Sequence, residues 1–199
     1  MNIAWINGWA VSNKWLRAQA EKFFAQHTHE IFTPTADTPL KILKKADHYD
    51  AFAGYSLGAL LWLTHAEKIP SDKKLVLFAP FLAFCAEHKK GGRTRRAQLL
   101  YLKKWLRRDP QNALKDFYNR AGLPDFSEEE FLFLEEGLEL LDRLSASGVP
   151  PNAVGFVGDD DGFINLPDLR AQWPAIEIIS NANHNFSKLC AALPRDPFA

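Results

Sequence analysis

Short apolar, β-prone runs recur along this chain with helix-length segments between them, and that alternation limits the fold more than any other feature. The runs are residues 2–7 (NIAWIN), 30–33 (EIFT), 50–54 (DAFAG), 75–80 (LVLFAP), 153–158 (AVGFVG) and 176–180 (IEIIS). LVLFAP is apolar throughout, the pattern of a strand covered on both faces of a parallel sheet. Ser12 is placed to cap a helix from Asn13 to about His27, with Trp15, Leu16, Ala20, Phe23 and Phe24 on its buried stripe. A small helix carries Leu40, Ile42 and Leu43, and others run from Leu57 to about Lys68, Leu166 to Trp173 and Ser187 to Leu193. Such alternation predicts an α/β fold, a mostly parallel sheet flanked by helices.

Between residues 82 and 147 the strand texture disappears. Leu99, Leu100, Leu102 and Leu106 share a helical stripe, and Arg93, Arg95, Arg96, Lys103, Lys104, Arg107 and Arg108 make one end basic. The acidic segment SEEEFLFLEEGLELLDRL follows Pro124. This stretch predicts an all-helical cap, 82–147, inserted in a single domain spanning 1–199, with Gly91 and Gly92 as its hinge. At 47% hydrophobic residues, a chain of this length has the apolar surface for one substantial core.

Charge and cysteine usage exclude several classes of function. The 24 basic and 24 acidic residues cancel, so no overall field draws the chain to nucleic acid or anionic lipid. No apolar run approaches the roughly 20 residues that span a bilayer. Cys85 and Cys190 are too few for a disulfide framework and form no CxxC metal motif, which fits reduced thiols and a cytoplasmic setting. The N-terminal stretch has no basic leader and reads as a first strand. A calcium loop starting at Asp159 fails too, because its twelfth position is Arg170, where a glutamate is needed.

Gly54, Ser56 and Gly58 form G-x-S-x-G where the run DAFAG gives way to the helical LGALLWL. That setting is the one a nucleophile elbow requires: a tight strand-to-helix turn lifts the serine hydroxyl above the sheet. Serine is a weak nucleophile until a base takes its proton, and the base needs an acid to hold its tautomer. His27, His29, His48, His65 and His88 sit in or beside the early helices and the start of the cap, where a surface or helix-end role suffices. His184 instead opens the loop after the last predicted strand, at the sheet edge that carries Ser56. Asp159, Asp160 and Asp161 leave the preceding strand. Asp161 is the best placed, because Gly162 permits a sharp turn and Phe163 and Ile164 can anchor it. Two backbone amides must also bind a tetrahedral oxyanion: that of Leu57, directly after the nucleophile, and that of Trp9 in the NGWA loop.

These residues resemble the α/β-hydrolase superfamily and, more narrowly, the pimeloyl-acyl-carrier-protein methyl ester carboxylesterases of biotin synthesis. The similarity runs through NGW (7–9), GYSLG (54–58), GLELL (137–141), GDDDGFI (158–164) and NHNF (183–186). It implies Ser56 as nucleophile, Asp161 as acid and His184 as base, with Trp9 and Leu57 at the oxyanion and substrate. The cap stretch Phe117, Tyr118, Asn119 and Arg120 matches the family's substrate-contacting segment. Asn7 stands where many hydrolases have histidine. The resemblance implies an ester substrate, carried on acyl carrier protein, and no metal or redox cofactor. Cap arginines hold the carrier in that family; Arg93, Arg95, Arg96, Arg107 and Arg108 occupy different positions here. A short-chain esterase or thioesterase of another pathway would use the same triad. A non-catalytic relative acting as a binding module commonly lacks a triad member, whereas all three are present in order.

Overall fold

The computed structural model describes residues 1–127 and 131–199. Residues 128–130 of the acidic segment lie outside the described residues. Six strands, β1 (Asn2–Ile6), β2 (Thr28–Phe32), β3 (Ala51–Tyr55), β4 (Lys74–Phe78), β7 (Ala153–Gly158) and β8 (Glu177–Ile179), form one sheet in the order β2-β1-β3-β4-β7-β8. Every pairing is parallel. The central strands β3 and β4 are buried along nearly their whole length, which is why they read as unbroken apolar runs. Helices α1 (Asn13–Phe23), α2 (Thr38–Leu43), α3 (Leu57–Leu63), α7 (Leu166–Gln172) and α8 (Phe186–Ala191) connect or follow them.

Local chemistry sets the helix ends. The Ser12 hydroxyl accepts from the Trp15 amide and starts α1, and Asn165 and Asn185 cap α7 and α8 in the same way. α3 is shorter than its apolar run suggests, because a separate 3₁₀ turn follows at Ala66–Lys68. Aromatic rings fill the core. Trp5 packs against Phe24, Phe78, Phe186 and Phe198, and the Trp62 indole donates to the Ala53 carbonyl at 2.9 Å. His29, expected at a helix end or surface, is instead buried in β2.

The inserted segment is mostly helical, with α4 (Arg96–Arg108), α5 (Pro110–Ala121) and α6 (Leu134–Arg143), but it is not helical throughout. It opens with a two-stranded ribbon, β5 (Ala83–Cys85) and β6 (Gly91–Thr94). The predicted glycine hinge is a pinned strand. A Cβ on Gly92 would lie 2.0 Å from the Phe84 carbonyl oxygen, and the Arg93 amide donates to the Phe163 carbonyl at 2.8 Å. A backbone this close to its neighbours has room only for glycine, so the two glycines serve packing rather than motion.

The basic stripe of α4 has an internal use. Arg96 pairs with Asp142 at 2.7 Å, Lys103 with Glu139 at 2.7 Å, and Arg107 with Glu135, stepping along α4 and α6 in opposite directions. Exposed pairs of this kind contribute little to stability, but they engage cations that the sequence left open for a partner.

Candidate active site

The sheet order reverses direction between β1 and β3, since the chain goes first to β2 on one side and then to β3 on the other. In open α/β sheets the crevice beyond the carboxyl ends of the strands at such a point is where a site forms. β1 ends there at the loop carrying Gly8 and Trp9, and β3 ends there at Ser56.

Ser56 has φ 53° and ψ −113°, a strained conformation for a non-glycine residue. Its surroundings enforce it. Its amide donates to the Phe78 carbonyl at 2.9 Å on the neighbouring strand, and its carbonyl accepts from Leu60 to begin α3. A Cβ on Gly54 would lie 2.8 Å from the Ala59 amide nitrogen, and one on Gly58 2.0 Å from the Ile6 carbonyl oxygen. The two glycines therefore allow strand, helix and β1 to meet around the serine. Leu57 occupies the first helical position, where a backbone N–H has no acceptor within its own helix.

His184 Nε2 lies 2.9 Å from Ser56 Oγ, and His184 Nδ1 lies 2.7 Å from Asp161 Oδ2. With a carboxylate facing Nδ1, the proton sits on that nitrogen and Nε2 is left as the acceptor for the serine hydroxyl. The other Asp161 oxygen accepts from the Phe163 amide at 2.9 Å. Asp161 and His184 are 4% and 2% exposed and Ser56 8%, whereas Asp159 and Asp160 are exposed. Of the three consecutive aspartates, the structure brings Asp161 to the imidazole. The backbone arranges this by stitching the two loops together: Asp159 donates to Ile179 and Asp160 to Ala182, each at 3.0 Å.

Further groups hold the histidine. The Tyr55 hydroxyl donates to the His184 carbonyl at 2.7 Å, and burial pushes its pKa well above the usual range, so it stays a neutral donor. The Phe163 ring meets the imidazole edge-on at 5.2 Å. Asn185 Nδ2 donates to the Gly122 carbonyl at 2.6 Å, tying the histidine loop to the end of α5. Tyr55 stands inside the G-x-S-x-G pattern, yet its hydroxyl's partner is 129 residues away, a contact that only tertiary structure shows.

The loop after β1 is organised by Asn7, which is fully buried. Its Oδ1 accepts from the Gly8 amide at 2.7 Å, and its Nδ2 donates to the Val11 carbonyl and Asn13 Oδ1 at 2.7 and 2.8 Å. A residue notable in the sequence only for replacing histidine thus cages the loop that carries Trp9.

Ser56 and His184 open onto a narrow cavity of about 30 Å³. Its walls are Trp9, Phe84 and Phe163, with Leu99 and Leu102 from α4, Phe117 from α5, and Leu138 and Leu141 from α6. Thr94, Gln98 and Arg120 stand at its edge and also line an open recess of about 290 Å³ that includes Arg93. The four consecutive residues of the expected substrate-contacting stretch therefore separate. Phe117 and Arg120 line the cavity, Asn119 is exposed on α5, and the Tyr118 hydroxyl turns to the Ala10 carbonyl at 2.9 Å. The reason is helical geometry, which points neighbouring residues about 100° apart. Among the described residues, no group of histidine, cysteine, aspartate or glutamate side chains is arranged to hold a metal ion. Among the described residues, no helix is long and apolar enough to cross a membrane.

No family model and no curated protein matches the sequence. Solved structures do resemble the chain. An esterase from Exiguobacterium antarcticum superposes with a TM-score of 0.63 at 11% identity, over 93% of this chain and 85% of that one. The N-formylmaleamic acid deformylase of Pseudomonas putida S16 gives a TM-score of 0.63 at 12% identity, over 94% and 87%. The RedJ thioesterase of the prodiginine pathway in Streptomyces coelicolor gives 0.56 at 15% identity, over 94% and 79%. At these identities the likeness concerns architecture, and with the parallel sheet and its flanking helices it shows that this chain has the α/β-hydrolase fold.

Proposed function

We propose that the chain is a serine hydrolase of carboxylic esters, with Ser56 as nucleophile, His184 as general base and acid, and Asp161 as the group that orients the imidazole. The observation that carries this reading is the continuous hydrogen-bond path Ser56–His184–Asp161, 2.9 and 2.7 Å, at the floor of an apolar slot. His184 takes the hydroxyl proton as Oγ attacks the ester carbonyl, and the buried carboxylate stabilises the imidazolium. The amides of Leu57 and Trp9 receive the oxyanion. The C–O bond to the alcohol breaks, His184 protonates the leaving oxygen, and water repeats the sequence on the acyl-enzyme to release the acid and restore Ser56.

The finer substrate reading follows the resemblance in the sequence: a methyl ester of a pimeloyl chain on acyl carrier protein, as in biotin synthesis. The apolar lining of the slot suits an acyl chain in character, and the recess bearing Arg93 suits the polar, anionic continuation of a carried substrate, although its Arg120 is paired with Asp116 at 2.8 Å. Arg96 and Arg107 are engaged with α6, so Arg93, Arg95 and Arg108 remain the cap arginines for a carrier. A thioesterase is the second reading, favoured by the likeness to the RedJ thioesterase.

Replacing Ser56 by alanine is expected to lower kcat on a short p-nitrophenyl ester by on the order of 10⁴-fold or more, with the circular dichroism of the fold unchanged. A fluorophosphonate should label the wild type at Ser56. Retained turnover in the variant, or no adduct, overturns the esterase reading. Growth of a biotin-requiring strain lacking its methyl esterase tests the pathway, and parallel oxygen ester and thioester substrates decide between the two readings.

A further inference from the structure

The Trp9 amide lies in a loop whose shape is not set by the sheet alone. Ala10, directly after Trp9, has φ 53°, a left-handed conformation that a residue with a Cβ adopts at a cost. Asn7 cages this loop from the core side. The cap holds it from the other side at two points. The Tyr118 hydroxyl of α5, 1% exposed, donates to the Ala10 carbonyl at 2.9 Å. The Trp9 indole N–H donates to the Leu134 carbonyl at the start of α6, also at 2.9 Å. The Trp9 ring is wedged between α5 and α6: it meets Phe117 edge-on at 4.8 Å, and a Cβ on Gly137 would lie 2.4 Å from Trp9 Cδ1. Glycine at 137 is what lets α6 lie against the indole.

A side chain that merely filled the cap would need no hydroxyl here. Phenylalanine has the same ring, whereas this hydroxyl meets the carbonyl of the one strained residue in the loop. We infer that Tyr118 is a positioning residue: by holding the Ala10 carbonyl it fixes the peptide between Ala10 and Val11, which together with the Trp9–Leu134 bond limits rotation of the Trp9 backbone and so sets the direction of the Trp9 amide as an oxyanion donor. The Trp9–Leu134 bond holds the same loop against rotation. The oxyanion hole is then complete only while α5 and α6 are seated, so the cap contributes to chemistry as well as to covering the acyl chain. This inference rests on the esterase reading for its catalytic consequence, but its structural core is independent of it.

Tyr118→Phe tests it, because the change removes one hydroxyl and leaves the edge-to-face ring contacts with Phe117 and Phe126. Loss of a whole oxyanion donor costs about 10²–10³ in kcat, so a donor misaligned rather than lost should cost roughly tenfold, with KM changed less than about twofold. Affinity for a trifluoromethyl ketone, which forms an oxyanion on Ser56, should fall in parallel with kcat/KM. Amide hydrogen exchange in residues 8–13 should accelerate by about tenfold or more. A filler role would change the unfolding midpoint and leave the kcat of the folded enzyme and the ketone affinity in place. That outcome, or unchanged exchange in the loop, overturns the inference. If Tyr118→Phe does not fold, Trp9→Phe removes the bond to Leu134 while keeping an aromatic ring against Phe117; because Trp9 also lines the cavity, its readout is the exchange of residues 8–13, which should accelerate, and unchanged exchange overturns the inference. If the wild type hydrolyses no ester through Ser56, the esterase reading falls, and loop exchange alone decides whether the cap holds the loop.

Discussion

Gly58 shows how closely the proposed nucleophile depends on a residue with no chemistry of its own. Its missing side chain lets the first turn of α3 press against the end of β1, where a Cβ would stand 2.0 Å from the Ile6 carbonyl oxygen and 2.7 Å from that of Asn7. Neither oxygen belongs to a flexible group, because both lie where β1 passes into the loop that carries Trp9. Gly58→Ala is therefore expected to destabilise the fold by about 3 kcal/mol and to lower activity in the molecules that still fold. Gly148→Ala meets nothing within 4 Å and should be nearly neutral. Urea midpoints of the two variants check this; equal midpoints would contradict the close-packed elbow. At this scale the grouping of Ser56, Asp161 and His184 was legible because a nucleophile, acid and base of the kind proposed follow in a known order after successive strands. Their supports were not. Tyr55 and Tyr118 each donate to a distant backbone carbonyl, and Asn7 reaches the Gly8 amide, the Val11 carbonyl and Asn13 Oδ1; nothing in a side chain's identity tells which of these it will reach.

The same division holds for the elements. The strands of the main sheet were readable because parallel strands covered on both faces must be apolar throughout, and five of the connecting helices announce their faces. β5 and β6 escaped because they are three and four residues long, and GGRT has the look of a hinge. They are held by contacts to Lys90, Phe163 and Asn165 that sequence periodicity does not carry. The basic and acidic stripes of the cap were plain as composition, but only the antiparallel placement of α4 and α6 turns them into partners. Among the cap elements, α5 is placed to bear on the specificity of the proposed reaction, since Phe117 lines the cavity beside the Trp9 indole and also meets Phe163 at 5.6 Å. A cavity of about 30 Å³ has room for roughly one water, so the acyl chain of the proposed substrate would have to displace apolar side chains to enter. Phe117→Ala should lengthen the slot and shift the preferred p-nitrophenyl ester to a longer acyl chain by about two carbons or more, while costing about 3 kcal/mol of stability. The ratio of kcat/KM values across an acyl-length series reads this directly, and an unaltered chain-length profile would mean that the acyl group lies elsewhere.

Across the whole molecule, one buried imidazole links proton binding to global unfolding. His29 joins three elements: Nδ1 accepts from the Trp5 indole of β1 at 3.0 Å, so Nε2 carries the proton and donates to the Phe24 carbonyl at the end of α1, also 3.0 Å. A second proton would have to go on Nδ1 and would break the bond to Trp5, at the centre of the aromatic core. Burial accordingly lowers the His29 pKa from its ordinary value of 6.5, partly offset by the Phe24 carbonyl, with the neighbouring His27 acting in the same direction as burial. The unfolded chain then binds the proton more readily than the folded one. Stability from this group is complete above about pH 6.5 and is lost as the pH falls below that value toward the lowered folded pKa. His29→Gln removes the titration. It should be less stable than the wild type at pH 8, because the glutamine amide fits the two partners less well, yet lose less further stability between pH 7 and 5. Urea unfolding midpoints of both proteins across that range measure the difference in slope. Parallel pH profiles would show that His29 is not the group through which acid reaches the core.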